Sequence, residues 1–123
     1  EMAYATAAAL WQAKKLSQAR TYAQKAISFN ENYGEPYILL AQMYGSNPNW
    51  SDEPALNRCT YYVVIDKLQR AKAVDPSVTD KVNELIATYA RHTPQAKDLF
   101  MLGYKAGDRI TIGGWIGEST TIR

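Results

Sequence analysis

Cysteine and histidine occur once each in the 123 residues, as Cys59 and His92, and phenylalanine only twice. A single cysteine excludes an intrachain disulfide and any cysteine-rich zinc site. With one histidine, His-based metal ligation and triad chemistry have almost nothing to draw on. Charge of one sign is also lacking: 14 Lys and Arg stand against 12 Asp and Glu, a formal net charge of +2. Without clustered cations there is no strong counterion-release term to drive DNA or RNA binding, so no nucleic-acid partner is expected. No apolar run reaches the roughly 18–20 residues that a spanning helix needs, and no leader with a basic start and a small-residue cleavage site is visible. The sequence opens at Glu1 already inside a helical pattern. The expectation is a piece of a longer protein, with any targeting signal upstream. Composition thus argues against an enzyme: no catalytic residue, metal or cofactor is expected.

What is present is ordinary for one domain, with 46% hydrophobic and 21% charged residues. A chain of this length buries roughly two thirds of the surface its unfolded form exposes, enough for a core without disulfides or a structural metal. From Ala3 to Phe29 it is rich in Ala, Leu, Lys and Gln, with Ser17 as a helix start between two helical stretches. Ala3, Ala7 and Leu10 mark one face, and Ala19, Ala23, Ala26 and Ile27 another. Small residues on both faces predict a closely packed antiparallel helical hairpin. After a polar break at 30–34, Pro36 sits in the first turn of a third helix whose stripe is Tyr37, Leu40, Ala41 and Tyr44.

Ala3 and Tyr37 lie 34 residues apart. That spacing, with Ala19, Ala26-Ile27, then Tyr37, Leu40, Ala41, Tyr44, then Leu68, Ala71 and Asp75-Pro76, resembles the tetratricopeptide repeat, a helix-turn-helix unit of about 34 residues. Leu85 and Tyr89 match the first helix of a third unit. Ala3 and Val82 stand where the family usually has Trp, and Ala7 and Ile86 where it usually has Gly. Tyr37 and Val82 are 45 apart, about 11 more than one repeat length. The surplus falls in the turn-rich stretch 45–54, where Ser51 or Asp52 is expected to cap a long helix from about Pro54 to Ala73.

Thr93-Pro94 reads as an N-cap and first turn for a short helix, Gln95 to Leu102, with Leu99, Phe100 and Leu102 available for packing and Gly103 as its stop. Arg109 to Ile112 and Ser119 to Ile122 read as strands. They are joined either by a two-residue Gly113-Gly114 turn or by a wider loop, 113–118, presenting Trp115 and Ile116. The predicted fold is mostly α: an α-α superhelix of about two and a half helical hairpins with a C-terminal β-hairpin. Residues 1–103 form the array (repeat 1 about 2–31, repeat 2 about 35–76 with loop 45–54 inserted, a partial repeat 79–103), and 104–123 the hairpin cap.

The run from Tyr61 to Pro76, with Gly107-Asp108 and Gly114 to Arg123, resembles the C-terminal end of tetratricopeptide proteins of Bacteroidetes. The resemblance implies an array that follows a signal sequence and is exported to the periplasm or cell envelope. Relatives of that kind often carry cysteines in the inserted loop and near Gly114. Neither is present here, so no disulfide carries over.

In such an array the first helices line a concave groove. Mapped onto this chain, the groove takes Tyr4, Ala8, Trp11 and Gln12, then Ile38 and Gln42, then Asn83, Ala87 and Arg91. The expected function is a protein-protein scaffold without catalysis, gripping a peptide or protein of unknown identity through aromatic and amide groups. Against it stands the reading that Trp11 and Ile38 belong under a preceding repeat, a face also open to self-association. Trp50 either pins its loop or awaits a partner, and Trp115 is either an exposed hot spot or the plug that anchors the hairpin. Were both tryptophans exposed, an envelope ligand- or glycan-associated component is the alternative function. His92 reads as a surface or junction residue, and Cys59 as a buried small hydrophobe.

Overall fold

The computed structural model describes residues 2–123. It is mostly helical, with one small antiparallel sheet at the C-terminal end. The elements are α1 (Met2–Gln12), α2 (Leu16–Phe29), α3 (Glu35–Ser46), α4 (Pro54–Arg58), α5 (Thr60–Val74), a 3-10 turn (Pro76–Val78), α6 (Thr79–Ala90), α7 (Ala96–Met101), β1 (Arg109–Thr111) and β2 (Ser119–Thr121). Among the described residues no helix is long and apolar enough to cross a membrane.

Alanine decides the first hairpin. Ala3, Ala7, Ala19, Ala23 and Ala26 are all buried, so α1 and α2 pack with little side-chain bulk between them. Helix α3 is the centre of the molecule. It packs on α1, α2 and α5, and Tyr37 to Ala41, Met43 and Tyr44 are buried, as expected of a helix apolar nearly all round. Helix α6 packs on α5 and also reaches α3, through Tyr89 against Gly45 and the Lys81–Glu35 ion pair at 3.1 Å.

One close approach sets the spacing of α3 and α5. A Cβ at Gly34 would lie 2.9 Å from Cβ of Asp75 and 3.1 Å from the Ala71 carbonyl oxygen, so the start of α3 sits directly on the end of α5. The Asp75 carboxylate makes use of this. It accepts hydrogen bonds from the Gly34 amide at 3.0 Å and from the Ser77 amide and hydroxyl. Those bonds, the Ser77 hydroxyl foremost, hold the Asp75 carboxyl below the ordinary carboxylate range.

The insertion is organised by one amide. Asn57 Oδ1 accepts from the amides of Trp50 at 2.9 Å and Ser51 at 2.8 Å, and its Nδ2 donates to the Ser51 carbonyl. The long helix expected from Pro54 is interrupted at Cys59, where buried Thr60 turns its hydroxyl back to the Pro48 carbonyl. Ser51 and Asp52 do not cap it: the N-cap of α4 is Glu53, whose amide is taken by the Ser51 hydroxyl ahead of the first turn. Thr93-Pro94 likewise precedes the helix, since Gln95 is the N-cap of α7 and Thr93 bonds back to the Ala90 carbonyl. Only Leu99 of α7 is buried; Phe100 and Leu102, expected to pack, are exposed because the six-residue helix has one inward face.

At the C-terminal end Arg109, Ile110 and Thr111 pair with Thr121, Thr120 and Ser119. The Ile112 amide extends the ladder to the Glu118 carbonyl at 2.8 Å, so the wider loop joins the strands and Gly113-Gly114 is not a two-residue turn. Ile110, Ile112, Ile116 and Ile122 face inward, and β2 packs on α5. Thr120 donates to Asp66 at 2.7 Å, and Arg123 pairs with the same carboxylate. A two-stranded hairpin is marginal alone; these contacts give it a body to lie on.

Candidate functional site

The residues proposed for a groove do not share one environment. Trp11 and Gln12, at the end of α1, line an open cavity of about 510 Å³ with Lys14, Leu16, Ser46 and Asn47. Trp11 is half-buried and Gln12 exposed. Tyr4 meets Tyr33 edge-to-face at 5.7 Å, and burial, then the Glu35 charge, pushes its phenol pKa up. Gln42 is half-buried, whereas Asn83 on α6 and Arg91 just past its end are exposed. Asn83 accepts a 2.9 Å hydrogen bond from Lys72 Nζ.

Ile38 is a correction. At 1% exposure it lies inside the core and offers nothing to a partner, because α3 is enclosed by neighbouring helices.

The two later tryptophans also serve the fold. Trp50 Nε1 donates to the Leu56 carbonyl at 3.1 Å, and a Cβ at Gly113 would sit 3.0 Å from Trp50 Cε3. The insertion and the hairpin loop therefore interlock through this indole. Trp115 packs edge-on against Tyr44 with 5.2 Å between centroids. Both indole rings are half-buried, as that of Trp11 is. His92 is exposed, its ring 5.2 Å from that of Tyr61, which also stacks on Tyr89.

Lys14, missed by the sequence reading, is the most informative residue of the cavity. Its φ is +63°, in the left-handed region that glycine or asparagine usually fills. The bonds Lys15 N–H to Leu10 C=O at 2.9 Å and Lys14 N–H to Trp11 C=O at 2.8 Å form a Schellman closure of α1. Gly103 closes α7 in the same pattern with φ +92°. Lysine here carries a conformational cost that glycine would not, and such costs cluster at functional positions. The closure places the Lys14 side chain on the cavity beside Trp11. Nothing in the local sequence signals it, since no Gly or Asn marks the helix end.

A second feature escaped the sequence: a polar junction beneath the hairpin. Arg20 of α2 donates from Nε to the Tyr44 hydroxyl at 2.8 Å, Tyr44 donates to Glu118, and Lys67 of α5 pairs with Glu118 Oε1 at 2.7 Å. Glycine-flanked Glu118 in an apolar loop is the one clue available. Burial, then the hydrogen bond and charge of Glu118, pushes the Tyr44 phenol pKa far up, so it acts as a fixed donor.

No protein-family model, curated protein or solved structure matches the chain.

Proposed function

We propose that this chain is a tetratricopeptide-type interaction module that binds an extended peptide or protein segment across its first helices, with Trp11 as the anchor, and performs no catalytic step. One observation carries the reading: an aromatic ring, an amide and a cation, Trp11, Gln12 and Lys14, converge on a single open cavity at the end of the first helix. A half-buried tryptophan beside the amides of Gln12 and Asn47, the Ser46 hydroxyl and the Lys14 ammonium suits an anchored peptide whose backbone finds hydrogen-bond partners. The packing order supports the repeat reading, because α2 lies on α1 and α3, and α5 on α3 and α6, as stacked helical hairpins require. Residues Gln42, Asn83 and Arg91 extend the face along α3 and α6. By the resemblance to envelope proteins, the module works after export, in the periplasm or at the cell envelope.

The test is a peptide array probed with the purified chain, wild type beside Trp11→Ala and Trp115→Ala. Captured peptides are expected to vanish with Trp11→Ala and to persist with Trp115→Ala. An array pattern indifferent to Trp11 overturns the assignment.

A further inference from the structure

A second cleft lies at the other end of the molecule, between α7 and the C-terminal hairpin, with a volume of about 440 Å³. Leu99 and Ile122, nearly fully buried, form its inner lining. Phe100 and Met101, 74% and 85% exposed, form the part that meets solvent. Consecutive exposed apolar side chains of this size are unusual on a soluble domain and mark binding surfaces. Beside Ala96, Tyr104 and Ala106, the rest of the lining is cationic. Lys97, Lys105 and Arg123 border the cleft, and no carboxylate side chain does. Arg123 is occupied by Asp66, while Lys97 and Lys105 make no side-chain ion pair among the described residues. The nearby Asp108 is engaged with the Lys105 backbone amide at 3.0 Å.

We propose that this cleft binds a single-chain amphipathic carboxylate of the fatty-acid class, the acyl chain against Leu99, Ile122, Phe100 and Met101 and the carboxylate at Lys97 and Lys105. Charge selects the head group: two ammonium groups that make no ion pair among the described residues, at the rim of an apolar slot, favour an anion attached to an apolar body. The lining decides what kind of body. Its surface is almost wholly apolar, so a peptide laid in it would bury backbone amides and carbonyls without partners. An acyl chain has no such groups, and each methylene it removes from water favours binding. The volume lies in the range of small-molecule sites, about 300–1,000 Å³.

The experiment titrates sodium dodecanoate, below its micelle concentration, into the whole chain labelled at methyl groups and read by NMR. Saturable shifts confined to Leu99, Met101 and Ile122 are expected. The K97E/K105E variant, both positions exposed, is expected to bind about tenfold more weakly with an unchanged melting temperature. Met101→Glu, at an 85% exposed position, is expected to do the same by placing a like charge in the slot. Trp11→Ala is expected to leave dodecanoate binding intact, which separates this site from the peptide face. Absence of saturable shifts, equal binding of dodecyltrimethylammonium, or indifference to K97E/K105E overturns the proposal.

Discussion

The Tyr44 hydroxyl donates a 2.5 Å hydrogen bond to Glu118 Oε2, joining the central helix α3 to the hairpin loop across 74 residues of chain. Arg20 from α2 and Lys67 from α5 converge on the same pair, and Trp115 packs its edge on the Tyr44 ring. Four separate segments are thereby registered at one point. Among the described residues no buried side-chain nitrogen or oxygen lacks a hydrogen-bond partner, so the junction is satisfied rather than strained.

Removing the Tyr44 hydroxyl as Tyr44→Phe takes a charge-assisted donor from Glu118 and an acceptor from Arg20. The expected cost is about 1–3 kcal/mol in urea unfolding. Combined with Glu118→Gln in a double-mutant cycle, the pair is expected to couple by more than about 0.5 kcal/mol. Strictly additive costs would mean that the bond does not hold the hairpin.

The same burial predicts an alkaline limb of instability. In the unfolded chain Cys59 ionises near 9.0 and Tyr44 near 10.0. In the folded chain desolvation pushes the Cys59 thiol to about 11 and the Tyr44 phenol higher still, with Tyr62 and Tyr89 also raised. The folded state holds these protons more tightly. Their contribution is therefore whole below pH 9 and is lost as pH rises through the folded values. Stability measured by denaturant titration is expected to start falling above about pH 9 and to steepen above about pH 10, with Tyr44→Phe flattening the upper part. A flat profile to pH 11 would contradict the burial of these groups.

The helical architecture was legible because its signals are local: alanine faces for α1 and α2, Pro36 in the first turn of α3, Asp75-Pro76 after the last residue of α5; β1 and β2 were marked by β-branched Ile and Thr. Ile38 was misplaced for a physical reason. Periodicity finds a helix's faces, but a helix packed on several sides has no free face for it to find. The Tyr44–Glu118 bond and the interlock of Trp50 with the hairpin loop depend on docking over long sequence separations, which no local pattern encodes. At the candidate site, Trp11 and Gln12 were visible as residue types at helical spacing; Lys14, Ser46 and Asn47 joined them only through the geometry of two helix ends.

Burial also governs the reactivity of Cys59, whose thiol is fully enclosed and lies 3.6 Å from the Ala55 carbonyl. A neutral thiol is a poor nucleophile. At pH 8 a thiol reagent such as a disulfide dye is expected to label the folded chain far more slowly than the same chain in urea, with a rate that tracks unfolding. Native labelling at the free-thiol rate would contradict the enclosure.

Lys14 gives a prediction of the opposite sign. Lys14→Gly relieves the left-handed lysine at φ +63° and is expected to stabilise the chain by about 0.5–1 kcal/mol in thermal or urea unfolding. Gly103→Ala, at φ +92° in the matching closure of α7, is expected to destabilise by a similar amount. Effects of the same sign at the two sites would contradict the account of the α1 closure.

The central claim is that the Trp11 cavity anchors a partner, and isothermal titration with an array-selected peptide tests it most directly. Trp11→Ala is expected to weaken binding by about 30-fold or more, the loss of at least 2 kcal/mol typical of an anchoring tryptophan, while Trp115→Ala leaves the affinity within about twofold. Equal affinity for wild type and Trp11→Ala, or a larger loss at Trp115, would contradict it.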